Sequence, residues 1–154
     1  MAEWAKPASG WGIALAMACI VAISVIGLRR DSERQADAVT PSNALAAVTA
    51  DHVDGPVLNE YSFGGFLIFR GIKPFIDGRY LYGDAFITRY MQNLTLTSDG
   101  LPQLLAEYHI AWTLLAPKSP ANSVLAHLPG WHRLYADDIA VVYARDNARP
   151  HWAP

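Results

Sequence analysis

The sequence predicts an α/β protein: a single transmembrane helix followed by a small α/β sandwich with short strands and a C-terminal antiparallel hairpin. Three observations lead there. Residues 11–28, WGIALAMACIVAISVIGL, carry no charge over eighteen positions. Beyond residue 40, stretches with apolar residues at helical spacing alternate with short strand-like runs, as an α/β domain requires. At the end, WHRLYAD (131–137) and IAVVYAR (139–145) follow one another with almost no spacer, so they read as a hairpin closing at Asp137-Asp138.

At 1.5 Å per residue the uncharged run spans roughly 27 Å, near the hydrocarbon thickness of a bilayer. Trp4 and Trp11 suit one interface, and Arg29-Arg30 suits headgroups on the other. A buried core helix would show a polar stripe, and this run has only Ser24. A cleaved signal peptide is the rival reading, because Lys6 precedes the run; the run is long for that, and Arg29-Arg30 makes a poor cleavage site. The only cysteine, Cys19, sits in the middle of the run, which leaves the folded domain without disulfides or cysteine metal sites. Lipidation of Cys19 is disfavoured by the nine apolar or small residues after it. The expected plan is a flank (1–10), a transmembrane helix (11–28), a polar linker (29–40), an α/β domain (41–145) and a loose tail (146–154).

Within the domain, Thr40-Pro41 reads as an N-cap followed by proline at the first helical position, opening a helix through Ala44, Leu45 and Val48. Gly55-Pro56 ends it, and PVLN (56–59) is a short strand. YSFGGFLIFR (61–70) is expected as a buried helix, and PFID (74–77) as a second short strand ending at Gly78. Ile87, Met91 and Leu94, with Phe86 and Tyr90, mark the next helix. Leu101, Leu104, Leu105 and Tyr108 form an i, i+3, i+4, i+7 stripe on another. IAWTLLAP (110–117) reads as a strand covered on both faces, and a short helix from Ser119-Pro120 to Pro129-Gly130 leads into the hairpin.

The formal net charge is −2 and no stretch of the domain is strongly basic, so nucleic acid is not an expected partner. The five histidines are scattered without ligand spacing, and no metal or cofactor is expected. The serines lack a GxSxG setting, and neither GxGxxG nor GxxxxGK occurs. Asn93-Leu94-Thr95 is a formal glycosylation sequon. Two clusters follow predicted strands: Asn59-Glu60-Tyr61 with Gly64-Gly65, and Asp77-Gly78-Arg79 with Tyr82-Gly83. Both fall where open α/β sheets place ligands, so Asn59, Tyr61, Asp77, Arg79 and Tyr82 are candidate binding residues, with Arg70 nearby. A structural reading stands beside this one. Gly64-Gly65 would let a helix approach the sheet, Asp77 would pair with Arg79 and cap its turn, and Asn59 would close its strand. Glu60 and Asp77 offer two carboxylates for work on a glycosidic bond, but nothing in the sequence sets their separation. No catalytic residue is assigned.

The segments NEYSFGGFLIFR and FIDGRYLYG resemble a recurring tail of bacterial multi-spanning membrane proteins similar to dolichyl-phosphate-mannose-type glycosyltransferases of GT-C architecture. Asn59, Tyr61, Gly64, Gly65, Leu67, Ile68 and Arg70 fit its first motif, with Phe66 where tyrosine is usual. Ile76, Asp77, Gly78 and Arg79 fit the second, and Gly130-Trp131, Tyr135 and Asp137 the third. The resemblance covers roughly residues 11–145 and implies a membrane-anchored, extracytoplasmic, non-catalytic domain that assists recognition of a lipid-linked or envelope glycan. The positive-inside rule disagrees about the side, since Arg29, Arg30 and Arg34 follow the apolar run and only Lys6 precedes it. The catalytic loops of such transferases lie among earlier membrane helices, so this chain is not expected to be an autonomous enzyme. The expected partners are the lipid bilayer and either a lipid-linked glycan or a multi-spanning membrane protein. The alternative is a structural, partner-binding module docking on other membrane helices.

Overall fold

The computed structural model describes Gly12, residues 15–21, Ser24, residues 39–79 and residues 81–146. The chain divides into two compact units, Met1–Arg34 and Gln35–Pro154. In the first, the described residues are helical and exposed. Among the described residues no helix is long and apolar enough to cross a membrane. The expected transmembrane helix over 11–28, and the single-pass, extracytoplasmic placement built on it, are corrected accordingly. An uncharged composition had suggested a continuous span, and the remainder of 11–28, like the linker to residue 38, lies outside the described residues.

The second unit is mixed α/β. Helix α1 (Ser42–Ala50) precedes strand β1 (Val57–Asn59), a 3-10 turn (Tyr61–Phe63) and helix α2 (Gly64–Phe69). Helices α3 (Asp84–Leu94) and α4 (Leu101–Glu107) lead to β2 (Trp112–Leu115), then α5 (Ala121–Leu125), β3 (Trp131–Ala136) and β4 (Val141–Arg145). The sheet order is β1-β2-β4-β3, with β1 parallel to β2 and the other pairs antiparallel.

Period-two alternation of side chains splits the core between the two faces of this sheet. Val57, Trp112, Leu114, Val142 and Ala144 face α1 and α2, packing with Ala44, Leu45, Val48, Phe66 and Leu67. Leu58, Leu115, Val141 and Tyr143 face the other way and pack with Tyr90, Leu94, Leu101, Leu104, Leu105 and Leu125 from α3, α4 and α5. Helices therefore cover both faces, and β2 is buried throughout, as its near-continuous apolar run requires. The hairpin turn is held by Asp137, whose Oδ1 accepts the Ile139 and Ala140 amides at 2.8 Å each.

Three local expectations change. Pro41, not Thr40, is the N-cap residue of α1, and no side chain caps that helix. On α3 the buried positions are Tyr90, Asn93 and Leu94, while Met91 is half exposed. Tyr90 is fully buried, with Phe86 and Ile87 both partly buried against the same core. Residues 74–77 do not form a strand. Pro74 has no amide hydrogen for a ladder, and the segment is tied to β1 by a side chain instead.

Close approach at α2 gives a direct test. A methyl group on Gly64 would collide with the Ile76 carbonyl and reach 2.7 Å from Asp77 Cα, whereas one on Gly65 meets nothing within 4 Å. Gly64→Ala is expected to lose about 1–3 kcal/mol in urea denaturation. Gly65→Ala should be neutral or gain up to about 1 kcal/mol from helix propensity. Equal effects at the two positions would contradict the packing.

Candidate functional site

The six residues singled out in the sequence separate into one connected cluster and one outlier. Asn59 ends β1 with its side chain fully buried, 0% exposed. Its Oδ1 accepts the Phe75 amide at 2.8 Å and the Ile76 amide at 3.4 Å. Its Nδ2 donates to the Ile76 carbonyl at 2.9 Å and the Glu60 carbonyl at 2.8 Å. A carboxamide has one donor group and one acceptor, as a peptide unit does, and here it takes the place of a neighbouring strand for residues 75–76. Tyr90 completes the junction by donating its hydroxyl to the Asn59 carbonyl at 3.1 Å. Burial, followed by the charge of Glu60, pushes that phenol far above its ordinary range.

Asp77 is 1% exposed and both of its carboxylate oxygens are occupied. Oδ1 accepts Arg79 N at 2.9 Å and Arg79 Nε at 3.0 Å, while Oδ2 accepts Arg79 Nη2 at 2.7 Å and the Tyr82 hydroxyl at 3.2 Å. The Arg79 side-chain bond, opposed by burial, brings the carboxyl down to about 2. Burial and then the charge of Asp77 raise the Tyr82 phenol, keeping it a donor. Tyr61, 38% exposed, lies beside the same turn, its hydroxyl 3.8 Å from where a β-carbon on Gly78 would sit. Arg70 is the outlier: it is exposed at the end of α2, its guanidinium 5.5 Å from the centroid of the Phe66 ring.

The structure thus brings Asn59, Tyr61, Asp77, Arg79 and Tyr82 together, but the polar atoms of Asn59 and Asp77 face inward and are spent on the protein. Glu60, the other carboxylate considered for acid–base work, accepts the Ala116 amide at 3.5 Å. Asp77 has no free oxygen and no exposed surface with which to join it in chemistry. The sequon is likewise closed, since Asn93 is 2% exposed and its Nδ2 donates to the Arg89 carbonyl at 2.7 Å.

Space for a ligand lies next to this cluster. A cleft of about 640 Å³ is lined by Gly55, Pro56 and Val57 on one side and by Ile72, Lys73, Pro74 and Phe75 on another. Tyr82, Phe86, Tyr108 and Ile110 line the rest. The aromatic rings form a ladder. Tyr82 stacks on Phe86 with centroids 5.2 Å apart, Phe86 stacks on Phe75 at 5.2 Å, and Tyr108 meets Phe75 edge-on at 4.9 Å. Phe75, Tyr82, Phe86 and Tyr108 are only partly buried, so each residue keeps some accessible surface. Of these lining residues, sequence reasoning proposed Tyr82 alone. The density of aromatic residues between 75 and 108 was the available signal, and helical spacing assigned it to core.

Compared with protein-family models, curated proteins and solved structures, the chain matches none.

The Asp77–Arg79 pair makes stability depend on acid in a definite direction. The folded carboxyl titrates near 2 rather than 3.8, so its stabilising contribution is complete above the higher value and disappears as pH falls toward the lower. Wild-type protein is expected to lose more of its urea midpoint over that interval than Asp77→Asn does. Parallel losses would show that the pair contributes nothing to folding.

Proposed function

We propose that residues 39–146 form a non-catalytic, glycan-holding domain of a glycosyltransferase-like protein. The observation that carries this reading is the partly buried ladder Tyr82–Phe86–Phe75, with Tyr108 edge-on, along a cleft beside a carboxylate that has no free oxygen. The cleft volume lies within the ~300–1,000 Å³ typical of small-molecule sites. Aromatic faces carry negative charge density, and the weakly positive C–H groups on one side of a pyranose ring lie flat against such a face. Among the described lining residues there is no carboxylate or histidine, which suits holding a sugar rather than cleaving or transferring it. The resemblance of NEYSFGGFLIFR and FIDGRYLYG to glycosyltransferase-associated tails points to the same ligand class.

A second reading, a structural module that docks on a partner protein, is favoured by Ile68 (40% exposed) and Phe69 (61%) on the outer side of α2. One experiment separates the two. Full-length protein with labelled aromatic rings is titrated with neutral and uronic-acid tetrasaccharides and followed by NMR. The glycan reading expects saturable shifts of Tyr82, Phe86 and Tyr108 with no release or transfer of sugar. No shift at millimolar sugar counts against glycan binding and in favour of the partner module, while turnover of the sugar rules out a non-catalytic role.

A further inference from the structure

We infer that the aromatic cleft selects an acidic sugar, a pyranose ring carrying a carboxylate or phosphate group. This rests on the glycan-holding reading and narrows it. Among the described residues lining the cleft, Lys73 is the one charged side chain. It is exposed and sits directly before Pro74 and Phe75, so its ammonium can swing on a flexible stem over the mouth while the ring walls stay fixed. Arg79 lies outside the lining but next to Tyr82. Arg79 Nη2 and the Tyr82 hydroxyl meet on the same oxygen of Asp77, at 2.7 and 3.2 Å, which places the guanidinium near that hydroxyl. Arg79 spends Nε and Nη2 on Asp77, and its side chain remains 61% exposed, leaving the Nη1 donors for an incoming anion.

Two ion pairs near the cleft are internally compensated. Asp77 and Arg79 cancel each other's charge, so Arg79 offers its Nη1 hydrogen-bond donors and no net charge. Glu107, on the helix leading to Tyr108, is forked by Arg89 at 3.0 and 2.5 Å, and Arg89 Cζ lies 6.0 Å from the Tyr108 ring centroid. A sugar in the cleft would therefore meet one net charge among the described lining residues, the Lys73 ammonium. A neutral sugar gains only the stacking.

The test uses the full chain and three probes: D-glucose, D-glucuronate and D-glucose 6-phosphate, each titrated at low and high salt with the cleft aromatic signals as readout. At least one acidic probe is expected to bind about three- to fivefold tighter than glucose, the scale of a single exposed ionic contact. High salt should erase that margin. Lys73→Gln, at an exposed position outside every helix and strand, should reduce the ratio of acidic-probe to glucose affinity. Preference for glucuronate identifies a carboxylate sugar, and preference for glucose 6-phosphate a phosphorylated one; either supports the inference. Should glucose bind as tightly as both acidic probes, or should Lys73→Gln leave the margin intact, selection by charge is overturned while the glycan reading survives. If none of the three moves the cleft signals, both are overturned.

Discussion

The side chain of Asn59 joins the end of β1 to residues 75–76 through hydrogen bonds in which both its amide and its carbonyl take part. At 0% exposure neither group has water as an alternative, so each unmade bond would leave a buried polar group costing about 1–3 kcal/mol. This clasp sets the path of the chain beyond α2. It holds Ile76 in the core, presents its carbonyl to the close approach of Gly64, and leaves Asp77 at the turn that Arg79 closes. On the other side it places Phe75 against Phe86 and Tyr108. The cleft between residues 55–57 and 72–75 exists because the two stretches are joined at Asn59 by a side chain and not by a continuous ladder.

Polar residues and ligand-accessible surface are consequently separated. Asn59 and Asp77 carry the densest hydrogen bonding of the region and are inaccessible, while the accessible walls are aromatic, with Lys73 at the margin. Such a division suits recognition. A reaction on a glycosidic bond would need a carboxyl group able to gain or lose a proton near neutrality. The Asp77 carboxyl, drawn to about 2 by Arg79, remains ionised throughout that range. The exposed outer side of α2 is a separate feature, unrelated to the clasp, and gives the partner-module reading its own footing.

Much of the fold was legible because it follows from periodicity. The stripe Leu101, Leu104, Leu105 gave α4, the run around Trp112–Leu115 gave the doubly covered strand, and the adjacent runs 131–137 and 139–145 gave the hairpin. Segment 74–77 misled because an extended stretch tied by a carboxamide has the composition of a strand without its ladder. The uncharged run 11–28 suggested a transmembrane helix from composition alone, and among the described residues no helix is long and apolar enough to cross a membrane. Within the candidate site, the proximity of Asn59, Asp77, Arg79 and Tyr82 could be inferred from their places after predicted strands. The Asp77–Arg79 pairing belonged to the structural reading, whereas the tie from the Asn59 side chain to residues 75–76 depends on the chain returning to β1 many residues later. The cleft stayed hidden because Phe86 and Tyr108 satisfy helical stripes as well as they satisfy a binding wall.

Native-state hydrogen exchange tests the clasp most directly. The amides of Phe75 and Ile76 belong to no strand, yet the account expects them to exchange through the same high-energy opening as the amides of β2, because Asn59 Oδ1 accepts both. Exchange at the fast rate of unprotected loop amides would contradict it, and with it the rigid wall on which the cleft depends.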